Sequence, residues 1–271
     1  MPVDLKNVIQ AAFDEASIGY DRPAMRFFDN SAKNLASQLS LKGNELLLDV
    51  CTGTGKIALE LAKRAPKGHI TAIDISPGML RLAEAKAAQT ERKNISFQIM
   101  DVDRSSFPAA GFDGLTCGFG AHFWPNMEKS LAHLVKAVKK EGFVAIASFA
   151  KGSFEPHAGF CLKRFAEFGV KLPDSYSLER LDNPEKNERL LKAVGLKDVH
   201  VKESQAGYFL TGSSDWWDLV VYTGYRAFLN QLTSEQAGRF KEVFLTDVEA
   251  TKKDQGIYLD VKVITAIGRK Q

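Results

Sequence analysis

The feature that most constrains this chain is the segment Leu46-Leu-Leu-Asp-Val-Cys-Thr-Gly-Thr-Gly55, an apolar run that ends in a glycine-rich turn and leads into a helical pattern. A strand, a tight turn and a helix in that order form half of a βαβ unit, and the rest of the pattern follows at once. Strand candidates are Glu45–Val50, His69–Asp74, Ile95–Met100, Asp113–Cys117 and Phe143–Phe149. Each is short and nearly continuous in apolar residues, as strands covered on both faces are. Helices are predicted between them at Thr54–Arg64, Pro77–Gln89 and Glu128–Lys140. In the last, Leu131, Leu134, Val135 and Val138 form a single apolar stripe. Ser76-Pro77 suits a helix start, with an oxygen to cap and a ring already at helical φ. Such alternation implies an α/β fold with a mostly parallel sheet, right-handed crossovers and helices on both faces.

Outside this repeat the pattern changes. Residues 1–44 read as a helical segment, residues 45–150 as the βαβ core, and residues 151–182 as an irregular insertion rich in Phe, Gly and Pro. Residues 183–271 resume order, with a helix at Pro184–Val194, a strand at Val199–Phe209, a helix at Ser214–Leu229 and another from Thr233. A final strand is predicted at Ile257–Ile267, where Ile257, Leu259, Val261 and Val263 alternate.

Composition narrows the function classes. Lys plus Arg exceed Asp plus Glu by 3, and the basic residues are scattered, so no nucleic-acid footprint is evident. No apolar run is long enough to span a membrane, and the first residues lack the apolar core of a secretory signal. Cys51, Cys117 and Cys161 are odd in number and not at metal-ligand spacing, which points to a reducing cytoplasm and no metal site.

The glycine turn admits three nucleotide readings. A phosphate-binding Walker loop fails, because Val50 stands where its first glycine belongs and Ile57 where its Ser or Thr belongs. A dinucleotide fold fits Gly53-x-Gly55-x-x-Ala58, with Asp74 following 21 residues after Gly53. Asp49 decides against it, since a carboxylate at the end of the first strand would face a doubly charged pyrophosphate. The same carboxylate attracts the ammonium of an amino-acid-bearing cofactor. At the end of the second strand Asp74 can take both ribose hydroxyls, and Asp101 at the end of the third can accept from an adenine amino group. One acid alone is as well read as a turn or cap residue; three in line with a glycine turn are not.

With these residues the chain resembles the class I S-adenosylmethionine-dependent methyltransferases, in particular the ubiquinone/menaquinone-biosynthesis C-methyltransferase-like branch. The stretches LLLDVCTGTG, ITAIDISPGMLRLA, FQIMDVD, FDGLTCGFGAHFW and VKKEGFVAIASF carry the resemblance, over about residues 45–150. It implies a Rossmann-like seven-stranded sheet closed by a C-terminal antiparallel hairpin, with S-adenosylmethionine as cofactor. The turn Asp49, Cys51, Thr52, Gly53, Thr54, Gly55 would hold the methionine half, Asp74 the ribose, and Asp101 with Val102 and Asp103 the adenine. Ile75 and Met79 would pack on the ring, although Met79 also sits at core spacing. Cys117 and Gly118 would border the site from the fourth strand, and residues 1–44 would form an N-terminal helical lid, whose Tyr20 resembles the lid tyrosine that closes over the cofactor in this branch. The usual first glycine is Cys51 here, which is tolerable where φ is negative.

Methyl transfer needs positioning more than acid–base chemistry, because the sulfonium already activates the methyl group. By location His122 is the candidate base; a histidine that caps a helix or is bonded in the wall is the alternative. Phe119, His122, Phe123 and Trp124, with Phe154, His157 and Trp217, are expected to line an acceptor pocket beneath the insertion, or else to be helix core. Cys51 and Cys117 should end side by side near the cofactor as small wall residues, and modifying them would then block the site. The expected partner is a small apolar or aromatic acceptor, methylated at O, C or N by in-line displacement, with homodimerisation left open. Two further readings stand beside this one: a nicotinamide-dependent oxidoreductase and a non-catalytic S-adenosylmethionine-binding protein.

Overall fold

The computed structural model describes residues 5–271; the first four residues of the N-terminal segment lie outside the described residues. That segment holds α1 (Leu5–Ala16) and α2 (Phe27–Ser37), joined through short 3-10 turns at Ser17–Gly19 and Pro23–Met25. The alternating core follows as β1 (Leu46–Val50), α3 (Lys56–Arg64), β2 (His69–Asp74), α4 (Pro77–Gln89), β3 (Ile95–Ile99), β4 (Phe112–Gly118), α5 (Met127–Val135) and β5 (Val138–Phe149). Then come α6 (His157–Glu167), α7 (Pro184–Ala193), β6 (Lys197–Gln205), β7 (Tyr208–Phe209), α8 (Ser214–Tyr222), α9 (Arg226–Leu229), α10 (Ser234–Glu249), β8 (Tyr258–Leu259) and β9 (Lys262–Arg269).

Seven strands form one sheet in the order β3-β2-β1-β4-β5-β9-β6, while β7 and β8 make a separate two-stranded ribbon. The pairs from β3 to β5 are all parallel, and β9 runs antiparallel to both of its neighbours. Side chains alternate across the sheet as a period of two requires. Leu47, Ile70 and Ala145 face a core built with Leu35, Leu61, Phe165, Trp216 and Phe240. Leu48, Ile73 and Val144 face the other, with Leu131, Leu134, Leu190 and Leu191. The winding direction switches between β1 and β4, which leaves a crevice at the carboxyl ends of those strands.

Local chemistry sets the helix starts. Ser76 Oγ accepts from Met79 N at 3.1 Å, with Pro77 at the first helical position. Thr233 and Gln236 form a reciprocal capping box at the head of α10.

Several expected boundaries move. The helix predicted over Glu128–Lys140 ends at Val135, and Val138–Lys140 instead begin β5 opposite Phe112. Glu141, at φ +63°, and Gly142 then bulge out before the ladder resumes at Gly114↔Phe143. The insertion at 151–182 is not irregular throughout: it contains α6, whose Phe165 ring stacks on Phe240 at 4.2 Å. The helix predicted over Ser214–Leu229 breaks at Thr223, which is extended (φ −128°, ψ −168°), into α8 and α9. The strands predicted over Val199–Phe209 and Ile257–Ile267 each divide, their outer parts forming the β7–β8 ribbon. The antiparallel C-terminal pair, β6 with β9, is therefore separated by the whole of residues 206–261.

Candidate active site

The crevice at the switch point is a cleft walled by the carboxyl ends of β1 to β4 and roofed by the N-terminal segment. Asp49, next to last in β1, Asp74, last in β2, and Asp101, two residues beyond β3, all line it. Asp49 is almost completely buried; it accepts from Thr52 Oγ1 at 2.6 Å and from Thr116 Oγ1 at 2.5 Å. Burial nevertheless pushes its carboxyl up to about 6, with Asp74 adding to the rise. Asp74 accepts from Gly53 N at 2.8 Å and Ser76 N at 2.9 Å, and burial raises its carboxyl as well. Neither acid has an ion-pair partner among the described residues. Two buried carboxylates without a cation make this a site short of positive charge.

The turn between β1 and α3 is held by Thr52 N donating to Ile73 O at 3.0 Å and Gly55 N donating to Thr52 O at 2.9 Å. Gly53 (φ +54°) has no atom within 4 Å of where a Cβ would stand, so the backbone there is bare toward the cleft. Gly55 (φ +78°) is needed for a different reason, because a Cβ would sit 2.9 Å from that of Ala83 on α4. Cys51 corrects the expectation of a negative φ: it lies at +53°, in the left-handed region. Phe119, at the end of β4, is left-handed too at +57°, so both turns beside the switch point carry backbone strain. Trp124 Nε1 donates to Cys51 Sγ at 3.4 Å, and a hydrogen bond to Cys117, followed by burial, raises the Cys51 thiol well above its ordinary range.

The roof is pinned by charge. Lys6 Nζ donates to both Asp101 oxygens at 2.8 and 2.7 Å and to Asp103 at 2.6 Å. Asp14 Oδ1 accepts from Ser76 Oγ at 2.6 Å and Gly78 N at 2.8 Å. Asp21 takes Thr54 Oγ1 at 2.9 Å, Lys56 at 3.0 Å and Lys86 at 2.7 Å. Tyr20 lines the cleft and stacks on Phe28 at 5.1 Å; burial raises its phenol, so it stays a neutral donor.

Of the residues predicted from sequence, Tyr20, Asp49, Cys51, Thr52, Gly53, Thr54, Asp74, Ile75, Met79, Asp101, Val102 and Gly118 line this cleft, as do Phe119, Phe123 and Trp124. Gly55, Asp103 and Cys117 lie just outside the lining. His122 is buried behind it, with Nε2 unpartnered; burial, helped by Arg180, pulls its imidazole down to about 3. His157 bonds Thr251 Oγ1 at 2.8 Å, and Phe154 and His157 pack toward Trp216, away from the lining. Trp217 packs near Phe240, and none of residues 151–182 reaches the cleft. Residues not singled out from sequence are Lys6, Ile9, Phe13, Phe28, Lys56, Ile57, Met100, Gly120 and Pro125. An apolar face on α1 and the position of Lys56 just past the glycine turn were the signals for several of them.

The fold is Rossmann-like, and its cleft lies at the switch point where such sheets bind their ligands. Residues 47–142 match the methyltransferase domain family. The chain is 30% identical to aklanonic acid methyltransferase DauC of Streptomyces sp. (strain C5), over 55% of this chain and 69% of that protein. It is 31% identical to the demethylmenaquinone methyltransferase of Deinococcus radiodurans, over 56% and 67% respectively. Among solved structures it resembles YcgJ of Bacillus subtilis (TM-score 0.60, 17% identity, 89% of this chain and 98% of that one). It also resembles phosphoethanolamine N-methyltransferase 2 of Haemonchus contortus, solved with S-adenosylhomocysteine (TM-score 0.59, 14% identity, 98% and 59%). The chain belongs to the class I S-adenosylmethionine-dependent methyltransferases, in the branch of the quinone-biosynthesis C-methyltransferases. Its cofactor is S-adenosylmethionine, and Asp49 and Asp74 offer acceptors that suit its ammonium and its ribose hydroxyls. Among the described residues no helix is long and apolar enough to cross a membrane.

Proposed function

We propose that this methyltransferase acts on a small, apolar or aromatic acceptor seated against the aromatic wall of the cleft. The observation that carries the reading is the set of rings along the lining: Phe13, Phe28, Phe119, Phe123 and Trp124. They pack edge to face, Phe13 on Phe123 at 5.4 Å and Phe28 on Phe119 at 5.3 Å, an arrangement that suits a flat apolar guest.

In this reading Asp49 holds the ammonium of the methionine half, Asp74 the ribose hydroxyls and Asp101 the adenine amino group, while Ile75, Met79 and Val102 cover the ring. When bound, S-adenosylmethionine supplies a methyl group already activated by the sulfonium. The protein orients the acceptor atom in line with the methyl–sulfur bond and excludes water with the aromatic wall and the roof. Neither His122 nor His157 lines the cleft, so neither takes an acceptor proton directly. The test is an acceptor screen with labelled cofactor, followed by Phe123→Ala on the best substrate. The acceptor KM should rise about tenfold or more, as expected for the loss of a buried aromatic contact, with S-adenosylhomocysteine affinity unchanged. An unchanged acceptor KM, or acceptance of only highly charged aliphatic substrates, would refute the aromatic assignment.

A further inference from the structure

We infer that Lys56 receives the carboxylate of the cofactor's methionine half, and that it does so by giving up part of its bond to Asp29 in the N-terminal segment. This rests on the placement of the cofactor proposed above, with the methionine half at the glycine turn. That half is a zwitterion. Asp49 answers its ammonium, but a carboxylate brought into a cleft already lined by Asp49, Asp74 and Asp101 needs a cation of its own. Among the described residues only two cationic side chains line the cleft, Lys6 and Lys56. Lys6 lies at the end of β3, bound to Asp101 and Asp103, two strands from the glycine turn. Lys56 follows Gly55 directly and is the first residue of α3. By position it is the cation of the methionine end.

Its present partners show how it can serve. Lys56 Nζ lies 2.8 Å from both oxygens of Asp29 and 3.0 Å from Asp21 Oδ1. Asp21 is fixed from other sides, by Lys86 at 2.7 Å and Thr54 Oγ1 at 2.9 Å. Asp29 has Lys56 as its sole ion-pair partner among the described residues, and its side chain is 46% exposed against 13% for Lys56. An ammonium has three donors in a rotatable fan. Asp29 can therefore yield one or two of them and turn to water at little cost, while Asp21 keeps the lysine in place. Lys56 would thus link occupancy of the methionine end to the seating of α2, which carries Asp29.

The experiment compares two probes by calorimetry at pH 7.5: S-adenosylhomocysteine, and 5′-methylthioadenosine, which has the same nucleoside and thioether but no amino-acid end. Lys56→Gln should weaken S-adenosylhomocysteine about tenfold or more, the scale of one charge-assisted hydrogen bond, and leave methylthioadenosine unchanged. Asp29→Asn removes the competitor and should tighten S-adenosylhomocysteine by roughly two- to tenfold, again without effect on methylthioadenosine. An equal loss for both probes in Lys56→Gln would make the lysine structural and overturn the inference. So would an unchanged S-adenosylhomocysteine affinity, or a weaker one in Asp29→Asn. If Lys56→Gln does not fold, the sign of the Asp29→Asn effect decides alone. Failure of the unmodified protein to bind either probe would sink the cofactor placement itself and the inference with it.

Discussion

Asp49 makes cofactor affinity depend on pH in a direction opposite to that of the ligand-free protein's stability. Its carboxyl is buried and titrates at about 6 in the fold, against an ordinary 3.8. Between those values the folded protein binds a proton that the unfolded chain has released, so stability falls as pH rises from about 4 to about 6 and is level above. The difference corresponds to about 3 kcal/mol at neutral pH. A bound ammonium reverses the preference and favours the ionised form. Affinity for S-adenosylhomocysteine should therefore be flat above about pH 6.5 and fall about tenfold for each unit below 6, with a proton released on binding in that range. Asp74, raised in the same direction, steepens the fall. Calorimetry in two buffers of different ionisation enthalpy measures both the affinity and the proton. Asp49→Asn should do two things at pH 8. It should raise the melting temperature of the ligand-free protein, since the amide keeps partners in Thr52 and Thr116 without the buried charge, and it should weaken cofactor binding by about 1.5–3 kcal/mol. A flat affinity from pH 5 to 8, or an unaltered slope in Asp49→Asn, would refute this reasoning.

Other substitutions test separate parts of the site. Asp74→Ala should weaken S-adenosylhomocysteine binding by about 1–3 kcal/mol through lost ribose hydrogen bonds, read by the same calorimetry; an unchanged affinity removes Asp74 from the ribose. Gly55→Ala forces a Cβ into the left-handed region against Ala83 and should destabilise the fold by about 1–3 kcal/mol, seen as a lower melting temperature or denaturant midpoint. His122→Phe should leave the pH–rate profile unchanged from pH 5 to 9, because an imidazole pulled down to about 3 is neutral throughout. Loss of rate with cofactor affinity intact would restore a catalytic role to that histidine.

The sheet core was legible in the sequence because β1, β2, β4 and β5 are largely buried and announce themselves as short apolar runs. Asp49, Asp74 and Asp101 stand out for the same reason: a polar residue closing an apolar run is a local signal. In the N-terminal half of the cleft only Tyr20, in the segment expected as a lid, was legible, and that through the resemblance. Lys6, Phe13 and Phe28 reach the site only because α1 and α2 fold back over strands more than a dozen residues further along, and no local pattern encodes that contact. Aromatic composition misled at Phe154, His157 and Trp217. Rings at helical spacing serve a core as readily as a pocket, and here the α6–α8–α10 core took them. The boundary at Val135 was hidden because Val138 continues the helical stripe, while its partner Phe112 lies on another strand. The left-handed Cys51 was missed since its conformation is imposed by the turn around it and not by its own preference.

The placement of β9 bears on how the protein is made. Residues 262–269 are the last of the sheet to leave the ribosome, yet they lie between β5 and β6 and not at an edge. Until they emerge, a nascent chain carries two unsatisfied strand flanks, Phe143–Phe149 on one side and Lys197–Gln205 on the other. Unpaired flanks of that kind invite pairing with other chains. Chains stalled or cut before Lys262 should accordingly scatter light and bind holdase chaperones, whereas chains that include Arg269 should not. The sheet closes from its interior, and the emergence of β9 sets when those flanks are no longer open to other chains.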